Sequence, residues 1–235
     1  MSQLTGAERA SYVQRVFSRI AKRYDLMNRL MTAGQDLRWR RQAIWHARLT
    51  PGDHLLDIGT GTGDLCRQAL RQQPDCRVVA ADFNLAMMFA GQKSGPLPWT
   101  NADALHLPFP DKSFDAVVSG FLMRNVGDLT TALREQFRIL KESGRMVILE
   151  TTRPRKGIFT PLVWVHMHLV IPFVGGLVSG DREAYRYLPA SSESFVSAEE
   201  LADKMSSVGF RNIGFHRLML GTIAIHWGEK DRSVG

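Results

Sequence analysis

The chain has 235 residues, 44% hydrophobic and 23% charged, a content that supports one well-buried core and excludes a disordered, collagenous or coiled-coil chain. Its 30 Lys and Arg against 23 Asp and Glu leave a formal charge of +7, a field that concentrates nucleic acid, anionic membrane surfaces or acidic ligands without choosing among them. The two cysteines, Cys66 and Cys76, form no CxxC pair and have no histidines at metal spacing, and the first thirty residues scatter Glu8, Arg9, Arg15, Arg19, Lys22, Arg23 and Asp25 where a signal peptide would be apolar. These features read as reduced thiols in a cytoplasmic protein.

Tyr12, Val13, Val16, Phe17 and Ile20 recur at helical spacing and predict a helix over 11–20; Leu37, Ile44 and Trp45 predict another from Asp36 to Leu49. Pro51 and Gly52 close this helical preface, residues 1–50. HLLDIG then reads as a strand stopping at a glycine turn, Asp64 to Gln72 as a helix, and RVVAAD as a second strand ending in an acid. A third strand is expected to end near Asp103, followed by the strand FDAVVSGF, the helix LTTALREQFRIL and the strand GRMVILE. Strands alternating with helices of this length imply parallel βαβ units with right-handed crossovers. After Glu150 the rhythm breaks into an apolar stretch, Ile158 to Ser179, punctuated by Pro161, Pro172, Gly175 and Gly176. SAEELADKMSSVGF resumes as a helix capped by Ser197, with Glu200 three residues on, and Met219 to Trp227 predicts a closing strand.

In LLDIGTGTGDL the strand runs through Asp57 into Gly59, Gly61 and Gly63 and then a helix. Glycines there let the backbone turn sharply and approach a ligand, and the helix start offers unpaired N–H groups. Asp82 ends the second strand, where a carboxylate can take both hydroxyls of a ribose; a nicotinamide-binding fingerprint shares that acid. Two details favour a different cofactor. The glycines are spaced GxGxG rather than GxGxxG, and Asp57 would be unfavourable beside a pyrophosphate but suits a ligand bearing an ammonium. Asp103, at the next strand end, is placed to accept from an adenine amino group. Three acids at successive strand ends match S-adenosyl-L-methionine better than a dinucleotide.

Four ordered blocks then carry a resemblance. FSRIAKRYDLMNRLMTAGQDLRWR (Phe17–Arg40) and RILKESGRMVILETT (Arg138–Thr152) are similar to the two signatures of the ubiquinone and menaquinone biosynthesis C-methyltransferase family. FLMRNVGD (Phe121–Asp128) and YRYLPASSESF (Tyr185–Phe195) resemble its arginine-asparagine and tyrosine-leucine-proline blocks. The chain departs from that pattern at Asp36, where the family usually has histidine, at Leu122 and Met123, and at Glu142 and Ser143. The resemblance implies a class I methyltransferase fold: α/β, Rossmann-like, a mostly parallel seven-stranded sheet flanked by helices in one domain over 1–235, with an apolar substrate lid at 153–195. It implies cofactor contacts at Thr62, Asp82, Asp103 and Ala104; Gly120, where some members carry serine, joins that set without the serine's side-chain contact.

The implied acceptor is a prenylated quinol, with demethylmenaquinol favoured because the family's activity includes it. Such a substrate needs an apolar mouth near a membrane, and Ile158 to Ser179 is read as a lid because its prolines, glycines, His166 and His168 disfavour spanning. Enclosing one isoprene unit is worth a few kcal/mol at ~0.8 kcal/mol per CH₂, and basic residues near anionic lipid add roughly 1 kcal/mol each. Peripheral association with the inner face of the membrane is therefore expected, and a homodimer stays open. A sulfonium is already a strong electrophile, so no metal is needed; the protein must align the ring and stabilise a phenolate. Arg124 and Asn125 are the candidates for holding the ring oxygens, and Tyr24 and Asp25 for closing the site and taking the proton. Arg124 could instead pair with Asp128, and Tyr24, Asp25 and Asn28 could form a helix terminus and its cap. Tyr185, Tyr187 and Ser191 either line the quinone pocket or pack the lid. A nucleic-acid methyltransferase would require a basic, aromatic-interleaved face or added module, and after Glu150 the chain turns apolar instead.

Overall fold

The computed structural model describes residues 6–153, 157–158, 160–170 and 182–231. Residues 171–181 of the expected lid and the side chain of Tyr185 lie outside the described residues. The preface holds α1 (Gly6–Ile20), α2 (Tyr24–Met31) and α3 (Gln35–Ala47). The alternating core follows as β1 (His54–Ile58), α4 (Asp64–Gln72), β2 (Arg77–Asp82), α5 (Leu85–Gln92), β3 (Trp99–Asn101), β4 (Phe114–Gly120), α6 (Leu129–Ile139) and β5 (Leu140–Thr151). Then come α7 (Thr160–Val165), a π-helical turn (His166–Val170), α8 (Arg182–Ser194), α9 (Ala198–Val208), β6 (Phe210–Leu218) and β7 (Ile223–Lys230).

The seven strands form one sheet in the order β3-β2-β1-β4-β5-β7-β6. The first five strands run parallel, and β7 is antiparallel to both β5 and β6. Side chains alternate across it. Leu55, Ala116, Val118, Val147 and Leu149 pack with Trp39 and Ile44 of α3 and Leu65 and Ala69 of α4. Leu56, Ile58, Val117, Met146 and Ile148 pack with Leu133 of α6 and Leu201 and Met205 of α9. Helices cover both faces, which is why these strands read as continuous apolar runs. A smaller core of Val16, Ile20, Met27, Met31 and Tyr187 joins the preface to α8.

The structure redraws several expected boundaries. The first helix begins at Gly6 rather than near residue 11, α3 ends at Ala47 rather than Leu49, and the preface holds an additional helix, α2. β5 starts at Leu140, well before GRMVILE. The expected strand from Met219 to Trp227 is instead a tight turn at Met219–Gly221, with Leu220 at φ +54°, followed by β7. β6 went unrecognised because its register shifts between Arg211 and Gly214, which breaks the alternation. β3 stops at Asn101, so Asp103 sits in the following turn, bridged to His106. The helix N-cap expected at Ser197 is present as a reciprocal capping box with Glu200.

One packing contact limits the sequence sharply. A Cβ on Gly91 of α5 would lie 2.5 Å from the Thr62 carbonyl oxygen and 2.6 Å from the Trp99 ring. Gly91→Ala gains up to about 1 kcal/mol of helix propensity, but the overlap with backbone should cost more, a net loss of about 1–2 kcal/mol. Thermal unfolding checks this; an unchanged or raised Tm would show that the loop yields at no cost.

Candidate active site

The carboxyl ends of β1 and β4 feed helices on opposite layers, and the crevice between them opens into a cavity of about 460 Å³. Gly59, Gly61, Asp82, Asp103, Ala104, Gly120, Asn125 and Tyr24 all line it. Gly59 and Gly61 take φ +64° and +59°, and a Cβ at Gly59 would lie 2.7 Å from Leu122 Cδ1, so this tight turn requires glycine. Asp82 holds the loop in place: its Oδ2 accepts from the Gly61 N–H at 2.7 Å and its Oδ1 from the Asn84 N–H at 2.7 Å. Burial raises the Asp82 carboxyl above the usual range, against the pull of those N–H groups. Each oxygen keeps a lone pair for a further donor. Asp103 is exposed, and its Oδ1 accepts from the Leu105 N–H at 2.9 Å.

Asp57, Thr62 and Gly63 do not line that cavity. Asp57 is fully buried beneath the loop, where its Oδ2 accepts from the Thr60 hydroxyl at 2.6 Å and its Oδ1 has no partner at hydrogen-bond geometry. Burial pushes its carboxyl up to about 7, against the Thr60 hydrogen bond and the Arg40 charge. The Thr62 hydroxyl donates to Asp25 Oδ1 at 2.6 Å, joining α2 to the glycine loop. Burial also raises the Asp25 carboxyl, opposed chiefly by that bond. Nearby, Arg29 pairs with Asp36 and, at 2.7 Å, with Asp64, while Arg40 lies 3.6 Å from Asp36 and 3.5 Å from Asp64. The preface is thus bolted to the start of α4, immediately after Gly63. Asp36, one of the departures from the family pattern, is the buried centre of that network.

A second cavity of about 110 Å³ adjoins the first, with Tyr24 and Phe121 lining both. Arg124 lines this smaller one. Its guanidinium is buried and pairs with Glu150 at the end of β5, not with Asp128, which instead caps α6 by accepting from the Thr130 and Thr131 N–H groups. Asn125 Nδ2 donates to the Phe121 carbonyl at 3.0 Å, and its Oδ1 accepts from the Tyr187 hydroxyl at 2.7 Å. Phe121 is held at φ +59°, a costly conformation for a bulky residue, with Arg124 and Arg40 over its ring at 5.5 and 5.8 Å. Tyr24 and Asp25 are the first residues of α2, the helix terminus of the alternative reading, but no side chain caps it and Asn28 lies inside the helix. Tyr187 packs against α1; Ser191 is buried in α8 and lines neither cavity.

Two participants escaped the sequence. Glu150 was legible in principle, since like Asp57 and Asp82 it stands at the carboxyl end of a strand. Asn84 caps α5 and also donates from Nδ2 to the Gln14 carbonyl at 2.8 Å, tying α1 to the acid-bearing turn. The implied cofactor fits the groups that line the cavity: Asp82 has lone pairs for ribose hydroxyls, and the glycine turn leaves no room for side chains, whereas the Asp57 carboxylate lies beneath the loop and out of the cavity.

The profile of the ubiE/COQ5 methyltransferase family matches residues 5–230. The chain belongs to that family. It is 43% identical over 224 residues to the ubiquinone/menaquinone biosynthesis C-methyltransferase UbiE of Desulfotalea psychrophila, covering 93% of this chain and 90% of that one. It is 43% identical over 220 residues to the demethylmenaquinone methyltransferase of Thermus thermophilus, covering 92% of this chain and all of that one. The fold is also that of a SAM-dependent methyltransferase from Thermotoga maritima, with a TM-score of 0.65 at 20% identity over 92% of this chain and 99% of that structure.

The Asp57 carboxyl yields a signed pH dependence. Its folded-state value, about 7, lies above the ordinary 3.8, so its contribution to stability is fully present below that ordinary value and is lost as pH rises through about 7. Asp57→Asn should therefore stabilise the cofactor-free protein at pH 8 by on the order of 2 kcal/mol and much less at pH 5. Denaturant melts of both proteins at the two pH values test it; a pH-independent difference would mean that Asp57 is already ionised when folded.

Proposed function

We propose that this chain methylates a ring carbon of a prenylated quinol, converting demethylmenaquinol to menaquinol. It is an S-adenosylmethionine-dependent C-methyltransferase of quinone biosynthesis, the activity its family and relatives carry. What supports the acceptor reading within the structure is the adjoining pair of cavities: one of about 460 Å³ at the glycine loop, the other smaller and walled in part by a buried arginine.

Bound S-adenosylmethionine supplies an electrophilic methyl group. The residues do the rest. In this reading Asp82 and Asp103 would hold the cofactor's ribose and adenine ends, with Gly59, Gly61, Ala104 and Gly120 lining the cavity, while Asp57, Thr62 and Gly63 would support the loop from outside it. Arg124 stabilises the ring oxygen that loses its proton, which raises electron density on the neighbouring carbon. Glu150 pairs with the guanidinium, and Asn125, which lines the larger cavity, is braced by Tyr187. Transfer would form the ring C–CH₃ bond as the S–CH₃ bond breaks, leaving S-adenosylhomocysteine; the ring carbon would then lose its proton and the ring oxygen regain one, so that a single proton is released to solvent. Tyr24, which lines both cavities, is the candidate relay that passes the released proton to solvent; Asp25 lines neither and serves as the latch on Thr62.

The first test is methyl transfer from radiolabelled S-adenosylmethionine to reduced demethylmenaquinone and to a reduced benzoquinone analogue in detergent, with RNA as control. Label is expected in the naphthoquinol; label in RNA alone would overturn the reading. The arginine needs a variant that keeps its charge, because removing one partner of a buried ion pair costs about 3–5 kcal/mol and would unfold the site. Arg124→Lys keeps a cation for Glu150 but loses the planar fork. Turnover should fall about 100-fold with cofactor affinity unchanged; turnover near the parent's would remove Arg124 from the chemistry.

Peripheral attachment to the inner membrane face, and with it a cytoplasmic location, belongs to the same proposal. No described helix is long and apolar enough to cross a membrane. Leu26 and Leu30 of α2, Leu162 and Trp164 of α7, Leu169 and Leu220 are all about half exposed, on segments that wall the smaller cavity or adjoin its wall. A bilayer over this rim would bury them and admit a prenylated head. Trp164→Glu should weaken cosedimentation with anionic vesicles several-fold; undiminished binding would place the contact elsewhere.

A further inference from the structure

Just past β3 the chain makes the turn that carries Asp103, and Ala102, Asp103, Ala104 and Leu105 all line the larger cavity. The turn closes on itself: the Asp103 carbonyl accepts from the His106 N–H at 3.0 Å, and the Asp103 Oδ1 from the Leu105 N–H at 2.9 Å. The side chains of Ala104 and Leu107 are buried, which fixes the depth of the turn but not its direction, because apolar packing is non-directional. Direction comes from α6. Glu135 Oε2 accepts from the Leu107 N–H at 2.8 Å and Arg138 Nη2 donates to the Leu107 carbonyl at 3.0 Å, so one pair of side chains holds both backbone groups of that residue. Arg138 Nη1 donates to the Phe109 carbonyl and to Asp111 Oδ1, each at 2.8 Å, while Nε and Nη2 donate to the two oxygens of Glu135 at 2.8 and 2.9 Å. All five N–H groups of the guanidinium are thereby engaged. Among the described residues, every hydrogen bond that ties the backbone of 103–109 to another element runs to Glu135 or Arg138. Neither residue lines a cavity, and a part-exposed ion pair contributes little to stability by itself. What the full use of the fork achieves is to hold the turn.

We propose that Arg138 is a positioning residue for cofactor recognition: acting through Glu135 and Leu107, it sets the 103–106 turn so that the Asp103 carboxylate faces the amino group of the cofactor's adenine. The inference rests on the adenine role of Asp103 and names what enforces it. Asp103 is exposed and engages one oxygen within its own turn, so a turn free to swing would leave the other to water. Held in place, the carboxylate selects: it accepts from the amino group of adenine and repels the carbonyl oxygen that hypoxanthine carries at the same position.

Calorimetry on the full chain tests this by comparing S-adenosylhomocysteine with S-inosylhomocysteine, which has an oxygen in place of that amino group. The parent protein should prefer the adenosyl compound about 30-fold, the size expected for one hydrogen bond to a charged group. Arg138→Met should cut the preference about tenfold, chiefly by weakening S-adenosylhomocysteine. Arg138→Lys, which keeps a cation for Glu135 but loses the planar fork, should fall between. Combined with Asp103→Ala, Arg138→Met should change neither affinity further, because its effect travels through Asp103. An Arg138→Met protein with the parent's preference would overturn the inference. So would an equal loss of both affinities, or a further loss on top of Asp103→Ala, since either would make Arg138 a general support of the fold. An Asp103→Ala protein that keeps the preference would instead sink the adenine reading of Asp103 itself, so the two failures are distinguishable.

Discussion

Everything at this site depends on β1 lying between β2 and β4, with the chain leaving the carboxyl ends of β1 and β4 toward opposite layers of the fold. The helix after β1 packs on the α3 side and the helix after β4 on the α9 side, so nothing in the sheet can close the space between their starts. That crevice is where unpaired N–H groups at a helix start, a side-chain-free turn and strand-end acids converge. Both cavities lie above it, one over the glycine loop and one between the strap after β4 and the preface.

The second organising feature is where charge is buried. A buried ion pair is seldom a net source of stability, since desolvation offsets most of the attraction. Yet Arg124 and Glu150 are 4% and 0% exposed, and Asp36 is 1% exposed between Arg29 and Arg40. These pairs buttress the places that must not move: one the turn after β4, the other the junction of α2, α3 and α4. The Asp25–Thr62 hydrogen bond adds a third tie from the same preface. The helical preface is thus part of the site's framework, reaching the glycine loop at Thr62 and Asp64 and the β4 strap where Arg9 donates to the Arg124 carbonyl at 2.6 Å.

The carboxylates at the strand ends divide by environment. Asp82 has both oxygens engaged by backbone N–H groups, which opposes the upward push of burial. Asp57 is pushed up to about 7 by burial, against the Thr60 hydrogen bond and the Arg40 charge. Phe121 carries backbone strain at the junction of the two cavities, where a flat aromatic wall serves both.

The sequence by itself determined the alternating core and the glycine turn after β1, because both are written in local order: apolar runs through Asp57 and into Asp82, glycines at fixed spacing, a helix cap at Ser197. It missed β6, whose bulge breaks period-two alternation, and it misread Met219–Gly221 as strand because apolar content alone does not reveal a left-handed turn. Only the tertiary structure decided the partner of Arg124: Glu150 lies 26 residues away, on the neighbouring strand, and no local pattern joins them. The same holds for Asp25 and Thr62, and for the smaller cavity, whose walls come from the preface, the β4 strap, α8 and the turn before β7. Local chemistry names the residue types, but which of them meet follows from packing between segments far apart in the chain.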